Sequence, residues 1–111
     1  MSRVLLYTIL GCALAPLNAL ADWDYPVAAQ LAMYDAVETR CGSVDQATLR
    51  KKYADMLMRF TPEERSGMTK DRQSAQYREV LTEASEELDK EITAAGKGGE
   101  TEVCKKIIQN M

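Results

Sequence analysis

Apolar residues recur at steps of three and four along most of this sequence, and nowhere in sustained alternation. That spacing is the period of a helix, which turns once in about 3.6 residues and so aligns i, i+3, i+4 and i+7 on one face. No run of β-branched residues offers a strand. The chain is patterned to bury helix against helix, and its 111 residues are enough for one small domain.

The spacing predicts an all-α fold, a small antiparallel bundle of about four helices over residues 26–41, 44–60, 70–95 and 101–109. In the first, Val27, Leu31, Tyr34, Val37 and Cys41 form one stripe. Asp24 is placed to cap it, Pro26 fits a first turn that needs no N–H, and Gly42 is suited to a left-handed end. In the second, Leu49, Tyr53, Met56, Leu57 and Phe60 make the buried face, and Ser43 with Gln46 has capping-box spacing. Thr61-Pro62-Glu63-Glu64 restarts the chain as a short capped turn that Ser66-Gly67 breaks. The third helix begins at Lys70 or at Ser74 and carries Tyr77, Val80, Leu81, Ala84, Leu88, Ile92 and Ala95. Gly96-Lys97-Gly98-Gly99 is a flexible break, and Val103, Cys104, Ile107 and Ile108 give the last helix its apolar side.

Residues 1–21 have a different character. Arg3 precedes an apolar run from Val4 to Leu17, and Ala19-Leu20-Ala21 then stands before the acidic Asp22-Trp23-Asp24. This order of charged start, apolar core and small-x-small site is that of a secretory signal peptide, with cleavage after Ala21. Gly11 and Pro16 interrupt the run, which is shorter than the roughly 20 apolar residues a membrane span needs. Ile9-Leu10-Gly11-Cys12 loosely resembles the lipobox of bacterial lipoproteins, although Leu10 is larger than that motif prefers; acylation of Cys12 is the weaker alternative.

The expected product is one helical domain, residues 22–111, in the periplasm or outside the cell, with no transmembrane segment. Cleavage at Ala21 leaves two cysteines, Cys41 and Cys104. In an exported chain an even count implies a disulfide, and only one pairing is available. If neighbouring helices alternate in direction, the first helix ends, and the fourth begins, at the same end of the bundle. Cys41 and Cys104 then fall together, as a bridge requires.

Composition removes several kinds of chemistry. The chain has no histidine, so it has no Ser-His or Cys-His nucleophile and no imidazole metal ligand. Its 17 acidic and 14 basic residues argue against a nucleic-acid partner. Glu79, Glu83, Glu86, Glu87, Asp89 and Glu91 crowd the third helix but fall mostly outside its apolar stripe, as a solvated face does. Met56 and Met58, with Met33 and Met68, contain the thioethers a Cu(I) site would use, yet Met56 is on a core stripe where methionine fills gaps. The glycine-rich break lacks P-loop spacing and follows no strand. No enzyme, cofactor or metal is therefore expected.

Charge is unevenly placed. Residues 50–78 have eight basic and four acidic side chains; residues 79–102 have eight acidic and two basic. Such asymmetry steers association with charged partners. The candidate contacts are Arg50, Lys51 and Lys52 on the basic side and Glu79, Glu83, Glu86 and Glu87 on the acidic side. Trp23 and Tyr25 are aromatic anchors that either meet a partner or fold back over the first helix. The reading that follows is a small exported, non-enzymatic protein acting by protein–protein contact: an envelope-protein binder, an inhibitor or an immunity-type protein. In size, helical content and acidic character the chain also resembles, as a class, the small acid-activated chaperones of the bacterial periplasm. Protonating its carboxylates would leave a strongly cationic chain tethered by its disulfide. A lipidated envelope component is the third reading.

Overall fold

The computed structural model describes residues 25–111. The expected signal segment with Cys12, the expected cleavage site after Ala21, Trp23 and the expected Asp24 cap lie outside them. The described residues form six helices: α1 Val27–Cys41, α2 Gln46–Arg59, α3 Pro62–Ser66, α4 Met68–Asp71, α5 Ala75–Ala95 and α6 Glu100–Gln109. The four longer helices stand close to where the periodicity places them. None of the described helices is long and apolar enough to cross a membrane.

Helix α1 is the axis of the fold. Every residue from Ala28 to Val37 is buried except Asp35, which is half-buried. The single stripe read from sequence is therefore too narrow, because Ala28, Ala29, Gln30, Ala32, Met33 and Ala36 are covered as well. Four of these are alanines, whose small side chains let neighbouring helices approach from several directions. Gln30 is the buried polar exception, and its side-chain amide donates to the Tyr25 carbonyl at 2.8 Å.

The other helices cover α1 with one face each. Helix α5 contributes Tyr77, Val80, Ala84 and Leu88, and α6 contributes Cys104, Ile107 and Ile108. Helix α2 buries Leu49 and Met56, and Phe60 follows at its end. Ala95, expected in the α5 stripe, is exposed.

Pair contacts give the directions. The Tyr34 hydroxyl donates to the Leu49 carbonyl at 3.2 Å, and Tyr25 and Gln30 share a recess with Phe60, so α2 runs antiparallel to α1. Asp35 meets Tyr77 and Arg40 pairs with Asp89, so α5 runs with α1. Helix α6 returns from the end where α1 stops. There Cys41 and Cys104 are joined by a disulfide, with Cα atoms 5.4 Å apart. The up-down order and the bridge both follow the sequence reading.

The helix ends correct it in three places. Gly42 has φ −58°, an ordinary helical value and not a left-handed one. A side chain there is excluded for another reason: a Cβ would lie 2.4 Å from the Glu38 carbonyl oxygen. Ser43 does not cap α2. The Val44 N–H bonds to the Cys41 carbonyl and keeps the chain turning, so Asp45 becomes the cap and accepts from the Thr48 N–H at 3.2 Å. The segment from Lys70 does not join the third helix. It belongs to the short α4, and α5 starts at Ala75 behind its cap Ser74. The Thr61 capping box stands as read, with Glu64 reaching back to the Thr61 N–H at 2.8 Å.

Candidate functional site

Asp35 is the one acid in the buried stretch of α1, and the structure builds a polar cluster around it. The turn between α4 and α5 brings Arg72 alongside, and its guanidinium makes a two-pronged contact: Nε donates to Oδ2 at 2.9 Å and Nη2 to Oδ1 at 3.0 Å. Tyr77, in the first turn of α5, donates its hydroxyl to the same Oδ2. A planar fork matched to a carboxylate, with a third donor beside it, is the strongest geometry these groups have. It fixes the start of α5 against the middle of α1.

Asp35 and Arg72 also border a cleft between α1 and α2. Tyr34, Asp35 and Glu38 line it from one face of α1, Arg50 and Tyr53 from one face of α2, and Arg72 closes one end. The volume is about 320 Å³. The Tyr34 and Tyr53 rings meet at 4.8 Å between centroids, tilted by 40°. Tyr34 is buried and Tyr53 half-buried, so Tyr53 presents the more open ring.

The two buried tyrosine hydroxyls of this region keep their protons near neutral pH. Burial pushes the Tyr34 hydroxyl up to about 12, with the negative charge of Glu38 adding to the effect. Burial, then the bond to Asp35, pushes Tyr77 up to about 12 as well. The bond to Asp35 holds the Arg72 guanidinium more firmly protonated than usual. Arg72 and Tyr77 act as fixed donors to the Asp35 carboxylate, and Tyr34 as a donor to the Leu49 carbonyl. Elsewhere, Asp45 is held below the ordinary carboxylate range by its bonds from Thr48.

The candidate contacts read from sequence are distributed as follows. Arg50 is exposed on the rim of the cleft, and Lys51 faces solvent beside it. Lys52 is half-buried and donates to the Met111 carbonyl at 3.2 Å, which ties α2 to the end of the chain. On α5, Glu79 and Glu86 are exposed while Glu83 and Glu87 are half-buried, so the acidic row turns partly toward the body of the fold. Tyr25 packs against the core, as a residue folded back over α1 does. The methionines do not converge: Met33 and Met56 are core residues, Met68 is half-buried, and Met58 is 80% exposed. Among the described residues no three carboxylate or cysteine side chains are grouped to hold a metal ion.

Sequence reasoning missed the Asp35 cluster. A signal for it was present: Gln30 and Asp35 are polar interruptions in the otherwise apolar and alanine-rich stretch Val27–Val37. A charged side chain inside such a helix needs a partner, because burying it alone is costly.

No protein-family model matches the chain, and no curated protein or solved structure shows significant similarity to it.

Proposed function

We propose that this chain is a small exported protein that works by contact with another protein and not by catalysis. The observation that carries this reading is the contrast between its two sets of ionisable groups. Those gathered around Asp35 bond to one another and hold the fold together. The Arg50–Lys51 pair on α2 and the Glu86 side chain on α5 face solvent, where charges direct association. The disulfide adds to the case, since such bridges persist in oxidising compartments. An envelope-protein binder, an inhibitor and an immunity-type protein all fit this chemistry.

The test is affinity capture from an envelope extract with the native protein and two charge-reversed variants, Arg50→Glu with Lys51→Glu, and Glu79→Lys with Glu86→Lys. A specific partner should be held by the native protein and lost with one variant. Capture of nothing, or capture indifferent to both reversals, counts against the reading. The export step is tested separately by intact mass: a product beginning at Asp22 supports cleavage after Ala21, and an acylated Cys12 would favour a lipidated envelope component.

One feature favours the acid-activated chaperone as a second reading. The clamp between α1 and α5 depends on the charge of one carboxylate, Asp35. Circular dichroism against pH tests it: a chain still native at pH 2 has no such switch, while loosening in acid, common to many proteins, only permits one.

A further inference from the structure

The cleft between α1 and α2 has a charge pattern that selects one class of ligand. Four ionisable groups of the guanidinium and carboxyl kinds line it: Asp35, Glu38, Arg50 and Arg72. Asp35 and Arg72 neutralise each other through two bonds at 2.9 and 3.0 Å, so together they add no net charge to the cleft. Glu38 and Arg50 are exposed, and among the described residues neither side chain has an ion-pair partner. One available anion and one available cation therefore remain. Glu38 is one turn beyond Tyr34 toward the disulfide end of α1, and Arg50 is one turn before Tyr53 on the antiparallel α2. Both charges thus lie on the same rim, above the two rings.

A simple anion meets Glu38 at that rim, and a simple cation meets Arg50. A ligand with both signs on adjacent atoms satisfies both. The wall below is aromatic and only partly covered, at Tyr53 over Tyr34. We propose that the cleft binds a free α-amino acid with an aromatic or large apolar side chain: its carboxylate to Arg50, its ammonium to Glu38 and its side chain against Tyr53. The volume of about 320 Å³ is at the small end of ligand sites and admits a molecule of this size. Arg50 supplies a planar fork suited to a carboxylate. The site shares Arg50 with the protein-contact reading, but Glu38, Tyr34 and Tyr53 belong to it alone, so the titration and the capture experiment can fail separately.

The probe is L-phenylalanine, titrated into the purified protein and followed by amide and side-chain NMR shifts. An open site and a ligand of about a dozen heavy atoms give an expected dissociation constant on the order of 1 mM. The expected result is saturable shifts centred on Tyr34, Glu38, Arg50 and Tyr53. N-acetyl-L-phenylalanine lacks the ammonium and L-phenylalaninamide lacks the carboxylate; each should bind at least about tenfold more weakly. Arg50→Gln and Glu38→Gln, both at exposed positions, should weaken phenylalanine by a similar factor while leaving the rest of the spectrum in place. Glycerophosphoethanolamine, a phosphodiester with one negative charge and one ammonium, tests a zwitterionic lipid headgroup as the alternative source of the two charges. The proposal is overturned by an absence of saturable shifts, by shifts that map elsewhere, by either derivative binding as well as the parent, or by glycerophosphoethanolamine binding more tightly than phenylalanine. The derivatives act on the native protein, so the test stands even if a variant misfolds.

Discussion

Helices α1 and α2 are neighbours in sequence and nearly equal in length, at 15 and 14 residues, yet they are stabilised in different ways. Helix α1 buries ten of its residues and α2 buries two. Removal of apolar surface from water holds α1, at about 25 cal/mol per Å². Helix α2 relies more on directed polar ties: the Asp45 cap, the Tyr34 hydroxyl on the Leu49 carbonyl, and Lys52 on the Met111 carbonyl. At its far end Arg65 donates to the Leu57 and Phe60 carbonyls at 3.0 and 2.7 Å, which satisfies acceptors that a helix terminus leaves open. One helix is specified by volume and the other by bonds at its edges. The two should respond to different injuries.

The widest separation is expected from truncating one side chain in each. Leu31 is wholly buried in α1, and Leu31→Ala should cost about 3–4 kcal/mol, lost burial plus the cavity left behind. Met58 on α2 is 80% exposed, and Met58→Ala should change stability by less than about 0.5 kcal/mol. Urea unfolding of both variants measures the contrast. Similar costs for the two would break the comparison.

The disulfide belongs to the α1 side alone, because it joins α1 to α6. Replacing Cys41 and Cys104 together by alanine should cost about 2–4 kcal/mol, by the loop entropy returned to the unfolded chain. The same denaturant curve reads this. Hydrogen exchange should show lost protection first in α6, with α2 little changed.

Asp35→Asn comes next, at about 2 kcal/mol, because it removes the charge that organises Arg72 and Tyr77. The pair is only partly covered, with the Asp35 and Arg72 side chains 19% and 33% exposed, so the cost stays below that of a fully buried pair. Thermal unfolding measures it, and a neutral effect would show that α5 needs no polar anchor on α1.

The last effect appears only at high pH. Tyr34 and Tyr77 both have pKa values raised to about 12 in the fold, against about 10 when unfolded. A raised value means the folded state retains protons that the unfolded state has released. Their contribution to stability is thus complete below about pH 10 and is lost as the pH rises toward 12. Tyrosinate absorbance followed with circular dichroism should show these two titrating late and together with unfolding. Tyr34→Phe should remove part of this alkaline loss and loosen α2, since its hydroxyl reaches Leu49.

The same contrast explains what was legible beforehand. Helices α2, α5 and α6 each bury one face, so their apolar spacing marks both the helix and the side that packs. Helix α1 was located but half understood: its alanines add little contrast to a hydrophobic pattern, and burial on all sides leaves no polar face to oppose the stripe. The Thr61 box was readable because every participant lies within four residues. The Asp35 cluster joins residues 37 and 42 positions apart, and no spacing rule spans that distance. Of the site, sequence singled out Arg50 by its charge. Tyr34 and Tyr53 were read as core positions, and their second part, walling a cleft, depends on how two helices are set side by side.

The turn between α5 and α6 has a consequence of its own. Gly96 and Gly98 both have positive φ, at 80° and 84°, and exposed Lys97 stands between them. Loop tips of this kind are preferred sites of proteolytic nicking. A trypsin-like enzyme that cuts after Lys97 would yield two polypeptides but still one molecule, because Cys41 and Cys104 lie on opposite sides of the cut. Non-reducing electrophoresis would show one band where reducing electrophoresis shows two. The bridge would then serve as a hinge pin that keeps a severed helix with its parent.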